Sequence, residues 1–310
     1  MKFENELTNC VNCPRECHAD RVNGKSGYCK SGSSFSIASI CLHKGEEPVI
    51  SGENGICNVF FTHCNLQCTF CQNYQVSRNE EKYAAFEMKF TDIVQRIVKI
   101  LDTGCNLLGF VSPSHFIPQM KAIIYALHEH GRKPVVVYNS NGYDKVETLR
   151  SLEGMIDVYL PDFKYSDAKL SKELSDASDY PVIAMKAITE MVKQKGISLR
   201  LNNDGQAEAG VIIRHLVLPG YIENSKEVLR LIADEISPSL HISLMSQYYP
   251  TPAVMDHPQL GRFITEKEYS EVVEEMERLG FSRGWVQEYS SNEYYRPDFF
   301  KEHPFEYTES

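Results

Sequence analysis

Between about residues 53 and 250 the pattern of apolar and polar positions switches repeatedly between two periods. Short apolar runs rich in β-branched and aromatic residues predict strands at 58–62, 107–112, 134–139, 156–161, 211–218 and 240–245. Between them, apolar residues recur three and four positions apart, the spacing of one helix face. This predicts helices at 92–101, 118–130, 144–152, 167–174, 182–195 and 225–235. The first carries Ile93, Val94, Ile97, Val98 and Leu101 on its apolar stripe, with Thr91 in place to cap it. The second has Pro118 in its first turn and Gly131 beyond its end. A helix at 266–279 and a short strand at 284–288 follow. Successive β–α units of this kind predict an α/β fold, a partial (β/α)6 TIM barrel. A flat, doubly wound parallel sheet has the same periodicity and stays open as the alternative.

The pattern is different at the two ends. Residues 1–52 are rich in Cys, Gly and Ser with little periodicity, as expected of a small, Cys-rich, metal-binding segment. The expected division is therefore 1–52, a barrel over 53–290, and a C-terminal tail at 291–310. The aromatic stretch at 285–300 is expected to cover a barrel edge, with a macromolecular contact as the other reading.

Charge and cysteine usage narrow the class. A net charge of −10 argues against nonspecific nucleic-acid binding. No apolar run approaches the roughly 18 residues of a membrane span, and Met1-Lys-Phe-Glu-Asn-Glu is polar, unlike a secretory leader. Neither a membrane nor a nucleic-acid partner is expected. Ten cysteines in such a chain point to reduced thiols and metal ligation in a cytoplasmic compartment, rather than to a disulfide framework.

The strongest chemical signal follows the first barrel strand. Cys64-Asn-Leu-Gln-Cys68-Thr-Phe-Cys71 places three thiols in one short loop. Three thiolates can ligate three irons of a [4Fe–4S] cluster and leave the fourth iron open, whereas electron carriers commonly use four. Zinc needs four ligands, and His63 is the available fourth. In parallel β/α folds functional groups gather at the C-terminal strand ends. Polar residues stand at each of those ends: Ser112-Pro-Ser-His115, Asn139-Ser-Asn-Gly142, Pro161-Asp-Phe-Lys164, Arg214-His215 and Gln247.

The cysteine loop resembles the signature of radical S-adenosylmethionine enzymes. The chain as a whole resembles pyruvate formate-lyase activating enzymes and their homologues with a Cys-rich N-terminus. The resemblance runs from Cys10 to about Gly280, through His43-Lys-Gly-Glu-Glu-Pro48, Cys64 to Asn73, Leu160-Pro-Asp-Phe-Lys-Tyr165 and Arg214-His-Leu-Val-Leu-Pro-Gly220. It implies a [4Fe–4S] cluster on Cys64, Cys68 and Cys71, with S-adenosylmethionine bound at the open iron. Reductive cleavage of that cofactor then yields a deoxyadenosyl radical, an oxidoreductase chemistry fed by a flavodoxin- or ferredoxin-type reductant.

By the same resemblance, Ser112, Ser114 and His115 stand where many such enzymes hold the methionine amino group. A helix cap for Ser114 and simple packing for His115 are the plainer readings. Asn139 and Ser140 align with an Asp-Thr pair of the activating enzymes, in which the Asp helps bind a cation; Asn139 carries one charge fewer. A plain Asn141-Gly142 turn also accounts for this stretch. Asp162 and Lys164, two apart on an extended segment, face one side and are expected to hold cofactor or to form a structural ion pair. Arg214 aligns with an arginine near the cofactor carboxylate. Its neighbour His215 must face the other way and is expected to pack outward.

Cys10, Cys13, Cys17 and Cys29 suit either a structural zinc or a second [4Fe–4S] cluster. Cys41, Cys57 and Cys105 read as buried free thiols, with Cys41 also able to join the N-terminal set. The expected function is hydrogen abstraction by radical chemistry. By resemblance the substrate is a glycine in a glycyl-radical enzyme; otherwise it is a peptide, a nucleotide or a small metabolite. A noncatalytic Fe–S carrier or zinc-binding interaction protein is the alternative from a different class.

Overall fold

The computed structural model describes residues 4–79, 86–293, 295–301 and 303–305. Residues 1–3 of the polar N-terminus, and 294, 302 and 306–310 of the expected tail, lie outside the described residues. In chain order the elements are β1 (Ile37–His43), α1 (Pro48–Ser51), β2 (Ile56–Phe61), α2 (Tyr74–Ser77), α3 (Phe90–Leu101), β3 (Leu107–Val111), α4 (Ile117–Glu129), β4 (Val135–Ser140) and α5 (Val146–Ser151). There follow β5 (Val158–Pro161), α6 (Ala168–Ser175), α7 (Tyr180–Lys195), β6 (Arg200–Leu201), β7 (Ala207–Leu216), α8 (Ile222–Glu235), β8 (His241–Met245), α9 (Glu266–Arg278) and β9 (Gly284–Val286).

The sheet runs β1-β2-β3-β4-β5-β7-β8-β9, and β6 pairs with β7 beside this path. Every neighbouring pair from β2 to β9 on the path is parallel, and β1 is antiparallel to β2. The sheet is open, its two ends being β1 and β9. The β5–β7 junction is its thinnest seam: Val158 and Tyr159 pair with Gly210 and Val211, and further on Asp162 bridges Arg214.

Side-chain parity separates a barrel from a flat sheet. Cys57, Val59, Leu108, Phe110, Val136, Tyr138, Tyr159, Val211 and Ile213 pack in one core with the residues of α3, α4, α7, α8 and α9. Their neighbours Ile56, Leu107, Val137, Val158, Leu160 and Ile212 form a second core, to which the long helices contribute nothing. A doubly wound sheet would carry helices on both faces. Here the second face curls on itself, so the fold is a partial (β/α)6 barrel with a dry floor. Gly109 keeps that interior open, since a Cβ there would lie 2.1 Å from Asn58 Oδ1.

One sequence expectation is corrected locally, and one strand is added. Thr91 does not cap α3, because the helix already begins at Phe90 with Lys89 at its N-cap. The Thr91 hydroxyl donates instead to Asp92 Oδ1. The strand β1 escapes the hydrophobic pattern because its buried positions Ile37, Ser39, Cys41 and His43 are mostly polar or small.

The segment before β1 is docked onto the barrel by two arginines. Arg21, 2% exposed, donates Nη1 to His115 O at 2.7 Å and Nε and Nη2 to Gly32 O at 2.9 and 2.6 Å. Its guanidinium lies 5.3 Å from the Phe116 ring centre. Arg15 donates Nε to Asn65 O at 3.0 Å and stacks 3.7 Å over Tyr28. A charged hydrogen bond contributes about 1.5–3 kcal/mol. Arg21→Met, which keeps the volume and loses the donors, is therefore expected to lower stability by about 3 kcal/mol in urea unfolding. An unchanged midpoint would mean that the segment is held by other contacts.

Candidate active site

The loop that follows β2 leaves the sheet through a strained residue. His63 has φ 62°, and its N–H donates to Val76 O at 2.7 Å. This turn places Cys64, Cys68 and Cys71 in the lining of a cavity at the C-terminal ends of the strands. Each sulfur accepts hydrogen bonds. Cys64 Sγ receives Leu66 N–H at 3.4 Å and Asn141 Nδ2 at 3.3 Å; Cys68 Sγ receives the Ser175 hydroxyl at 2.9 Å; Cys71 Sγ receives the Ser77 hydroxyl at 3.2 Å. Asn79 pins the backbone on both sides, accepting from Cys64 N–H and donating to Cys64 O and Tyr28 O.

Burial pushes the Cys64 thiol well above its ordinary value, with the neighbouring Cys68 adding to the effect. Burial raises Cys68 as well, partly offset by Lys164. Thiols in such a place become thiolates only with a cation to compensate them, as a metal or cluster does. Among the described residues no three His, Cys, Asp or Glu side chains are gathered tightly around a single point. The donor set still fits an Fe–S cluster: three cysteines line one cavity, each sulfur already meeting an N–H or O–H donor, as outer-shell partners of a cluster do.

The other walls come from the strand ends. Ser112, Asn139, Asn141, Asp162, Lys164, Arg214, Leu216, Met245 and Gln247 all face the same cavity. Ser112 is left-handed, with φ 50°, and its N–H donates to Asn139 O at 2.7 Å. Lys164 Nζ meets Asp162 Oδ2 at 2.5 Å. Burial works against the ammonium charge, but Asp162 and the Cys68 sulfur outweigh it and hold Lys164 above its ordinary value. Strand parity places Arg214 in the cavity and turns His215 to α8, where its Nε2 meets Ser225 Oγ at 2.8 Å, as the alternation along β7 requires.

The structure adds an acidic pair that sequence reasoning left out of the site. Arg214 donates Nη2 to Glu46 Oε2 at 2.6 Å and Nε to Glu47 Oε1 at 2.9 Å. The two glutamate side chains are 8% and 3% exposed. Asn58 Nδ2 donates to the second oxygen of Glu46 at 2.9 Å, whereas Glu47 Oε2 is buried without a hydrogen bond among the described residues. Burial raises the Glu46 carboxyl, but Arg214, His43 and Asn58 prevail and hold it below its usual range. With both acids ionised, the group carries one net negative charge. The only sequence signal for it was Glu46-Glu47 beside Pro48; the partner on β7 is 167 residues away.

Ser114, His115 and Ser140 were also expected in the site, and their side chains do not line the cavity. Ser114 Oγ donates to Asp144 Oδ1 at 2.6 Å, beside Tyr138 on the same oxygen, so it is neither a helix cap nor a cavity donor. His115 Nε2 bonds Thr62 O at 2.8 Å under the first strand. Ser140 Oγ accepts Gly142 N–H at 3.1 Å, closing the Asn141-Gly142 turn. Ser140 is turned away by alternation, since Asn139 and Asn141 on either side face the cavity, whereas Ser114 and His115 lie in a short 3-10 turn after β3 that carries both side chains away from it. His63, the alternative zinc ligand, likewise does not line the cavity; its Nδ1 meets Thr62 Oγ1 at 3.0 Å.

Cys10, Cys13 and Cys29 are buried and Cys17 partly so, all outside the cavity lining. Cys17 Sγ accepts Tyr28 N–H at 3.2 Å. Burial, reinforced by Cys29, Cys10 and Cys17, pushes Cys13 up to about 12. Cys41, Cys57 and Cys105 are buried free thiols in the cores. The C-terminal stretch packs on the cavity side of an inner strand: Phe299 and Phe305 meet Phe60 of β2, and Tyr295, Pro297 and Phe305 line the cavity.

A family model described as the radical SAM superfamily matches residues 58–232. An uncharacterized protein of Methanocaldococcus jannaschii is 27% identical over 284 residues, covering 89% of this chain and 76% of that protein. Among solved structures, Streptococcus suis SuiB bound to the precursor peptide SuiA is similar at a TM-score of 0.49 and 14% identity. That match covers 73% of this chain and 47% of SuiB, so the chain spans about half the length of that protein. The FeFe-hydrogenase maturase HydG of Carboxydothermus hydrogenoformans has a TM-score of 0.49 and 13% identity, over 72% of this chain and 50% of that one. A domain of pyruvate-formate lyase-activating enzyme from Bacteroides vulgatus ATCC 8482 has a TM-score of 0.39 and 13% identity, over 56% and 93%.

Two outcomes follow from the buried charges. Arg214→Met strands two carboxylates and is expected to cost about 3–5 kcal/mol in urea unfolding, most of it recovered when Glu46→Gln and Glu47→Gln are added. A loss below about 1 kcal/mol would show that water in the cavity screens the pair. Second, burial depresses His115 to about 3 and His215 to about 4, against an ordinary 6.5. The unfolded chain binds these protons first, so stability falls as pH drops below the ordinary histidine value. The limiting slope is about 1.4 kcal/mol per pH unit for each histidine. His215→Asn should make the slope between pH 6 and 5 shallower by about that amount. An unaltered slope in chemical denaturation would rule out the burial effect.

Proposed function

The chain belongs to the radical SAM superfamily, and from that premise we propose that Cys64, Cys68 and Cys71 hold a [4Fe–4S] cluster that cleaves S-adenosylmethionine for hydrogen abstraction in the adjoining cavity. The observation that carries this reading is the cavity itself: the three cysteines and polar groups from successive strand ends line one and the same space. When bound, the cluster would supply one-electron reduction of the sulfonium, and the cleaved cofactor would supply hydrogen-abstracting chemistry at the substrate.

The chain's own residues have distinct tasks in this scheme. Asp162 and Lys164 present a carboxylate and an ammonium that neutralise each other while meeting ribose hydroxyls and the cofactor carboxylate. Ser112 and Asn139 offer oxygens to the cofactor amino group. Arg214 is held through Nε and Nη2 by Glu47 and Glu46, so it sets the floor of the cavity and orients those acids. Phe60, Val111, Leu216 and Met245 line the same space and exclude water.

Activation of a glycyl-radical enzyme requires a polypeptide loop to reach the cavity. Tyr295, Pro297 and Phe305 line that cavity, and Gln75 ties the tail down by donating to Asp298 Oδ1 and accepting Phe299 N–H. A polypeptide loop, a short peptide, a nucleotide or a small metabolite would each meet these side chains on reaching the cavity. The four N-terminal cysteines are proposed to bind zinc or a second cluster, and Arg15 and Asn79 would carry that unit's rigidity to the Cys64 loop. A flavodoxin- or ferredoxin-type protein is the proposed reductant. A reducing cytoplasm is the proposed setting, in keeping with ten free cysteines.

Anaerobic reconstitution, with iron and zinc counts and EPR with and without S-adenosylmethionine, tests the reading. The expected reduced signal changes when the cofactor is added. Cys64→Ala is expected to abolish deoxyadenosine release, a loss of at least about a thousandfold. Release at the wild-type rate, or a signal indifferent to the cofactor, would return the chain to the electron-carrier or zinc reading.

A further inference from the structure

The three loop sulfurs do not receive equivalent hydrogen bonds. Cys64 is met by amide N–H groups at 3.3 and 3.4 Å, and Cys71 by the Ser77 hydroxyl at 3.2 Å. Cys68 receives the shortest contact, the Ser175 hydroxyl at 2.9 Å, and that hydroxyl is itself 2.5 Å from the Tyr165 phenol. We propose that the Tyr165–Ser175 pair is a positioning device that sets the reduction potential of the cluster through Cys68. This deepens the reading above and rests on it.

The direction of the chain follows from donor arithmetic. A thiolate sulfur only accepts, so Ser175 spends its single proton on Cys68. Ser175 Oγ must then accept from Tyr165, which is fully buried between Phe70 and Tyr180. The two bonds polarise each other in the same sense, strengthening the final contact to sulfur. Electron entry raises negative charge on the sulfurs, and a donor aimed at sulfur stabilises the reduced form.

The geometry argues against an ordinary helix-end serine. Such residues commonly bond back to their own helix, as Ser171 does to Ala168 O at 3.2 Å. Ser175, the last residue of α6, points away to sulfur instead. Its position is fixed from both sides. Leu174 O accepts the N–H of Thr69, next to Cys68, at 2.8 Å. Asp176, left-handed at φ 52°, ends the helix and accepts the Tyr28 hydroxyl at 2.9 Å. A donor on a rigid helix end, clamped to the loop it serves, holds its distance when the electron arrives.

The test is an EPR-monitored redox titration of reconstituted full-length protein without S-adenosylmethionine, so cofactor cleavage plays no part in the readout. Ser175→Ala is expected to be harder to reduce. At the wild-type midpoint its reduced-to-oxidised ratio should fall about tenfold, equivalent to about 59 mV for one electron. Tyr165→Phe should shift the same way by less, and Ser175→Thr, which keeps the hydroxyl, should stay within about twofold of wild type. A fully loaded Ser175→Ala protein with an unmoved or more positive midpoint overturns the proposal. If Ser175→Ala fails to retain iron, Tyr165→Phe decides, and an unmoved midpoint there overturns it. A wild-type protein without any [4Fe–4S] signal would sink the cluster reading as well, whereas an intact signal with unmoved variants sinks this inference alone.

Discussion

Burying the charge of Arg214 is the constraint around which the barrel interior is organised. An arginine inside a low-dielectric fold must be paired. Here one guanidinium fork joins β7 to the turn between β1 and α1, through Glu46 and Glu47. Asn58 extends the group to β2, and Gly109 on β3 leaves room for it. This polar layer divides the interior. Below it lies the dry floor of Ile56, Leu107, Val137, Val158, Leu160 and Ile212. Above it the strands release polar ends into the cavity. The antiparallel edge β1 is therefore part of the site's foundation, since it leads directly into the two acids.

The cysteine loop depends on a second set of constraints from outside the barrel. Arg15 of the N-terminal segment, Asn79, Asn141 and the end of α6 all meet it, and Asn79 in turn donates to Tyr28 O. Most of these contacts end on loop backbone or on sulfur, the groups a loop cannot satisfy by itself. The result is a loop whose three thiols are aimed by neighbours drawn from four separate parts of the chain. Left-handed His63 and Ser112 stand at the ends of consecutive strands, where backbone strain persists only because packing over-determines it.

Much of this was legible in the chain itself. The strands with clean apolar runs, β2, β3, β4, β5, β7 and β8, and the longer helices lie within a few residues of their expected places, because burial on both faces writes a continuous signal. Parity along β7 correctly separated Arg214 from His215. The same rule, applied at 140, turns Ser140 away from the cavity that Asn139 and Asn141 face, but it says nothing about Ser114 and His115, which lie beyond β3 in a 3-10 turn where strand alternation does not hold. The strand β1 stayed hidden because its buried face carries Ser39, Cys41 and His43.

By itself, then, the sequence determined the order of β–α units, the three-thiol loop after the first barrel strand, and the side of the sheet on which polar strand ends collect. These depend on local spacing and on strand direction, both of which are one-dimensional. Tertiary structure alone decided that Arg214 belongs to Glu46 and Glu47, that Ser175 rather than a nearer residue serves Cys68, and that the tail lines the cavity. Such pairings join residues more than a hundred positions apart. They are selected by the cost of leaving a buried charge or donor unmatched, a cost that exists only once the chain has closed around it.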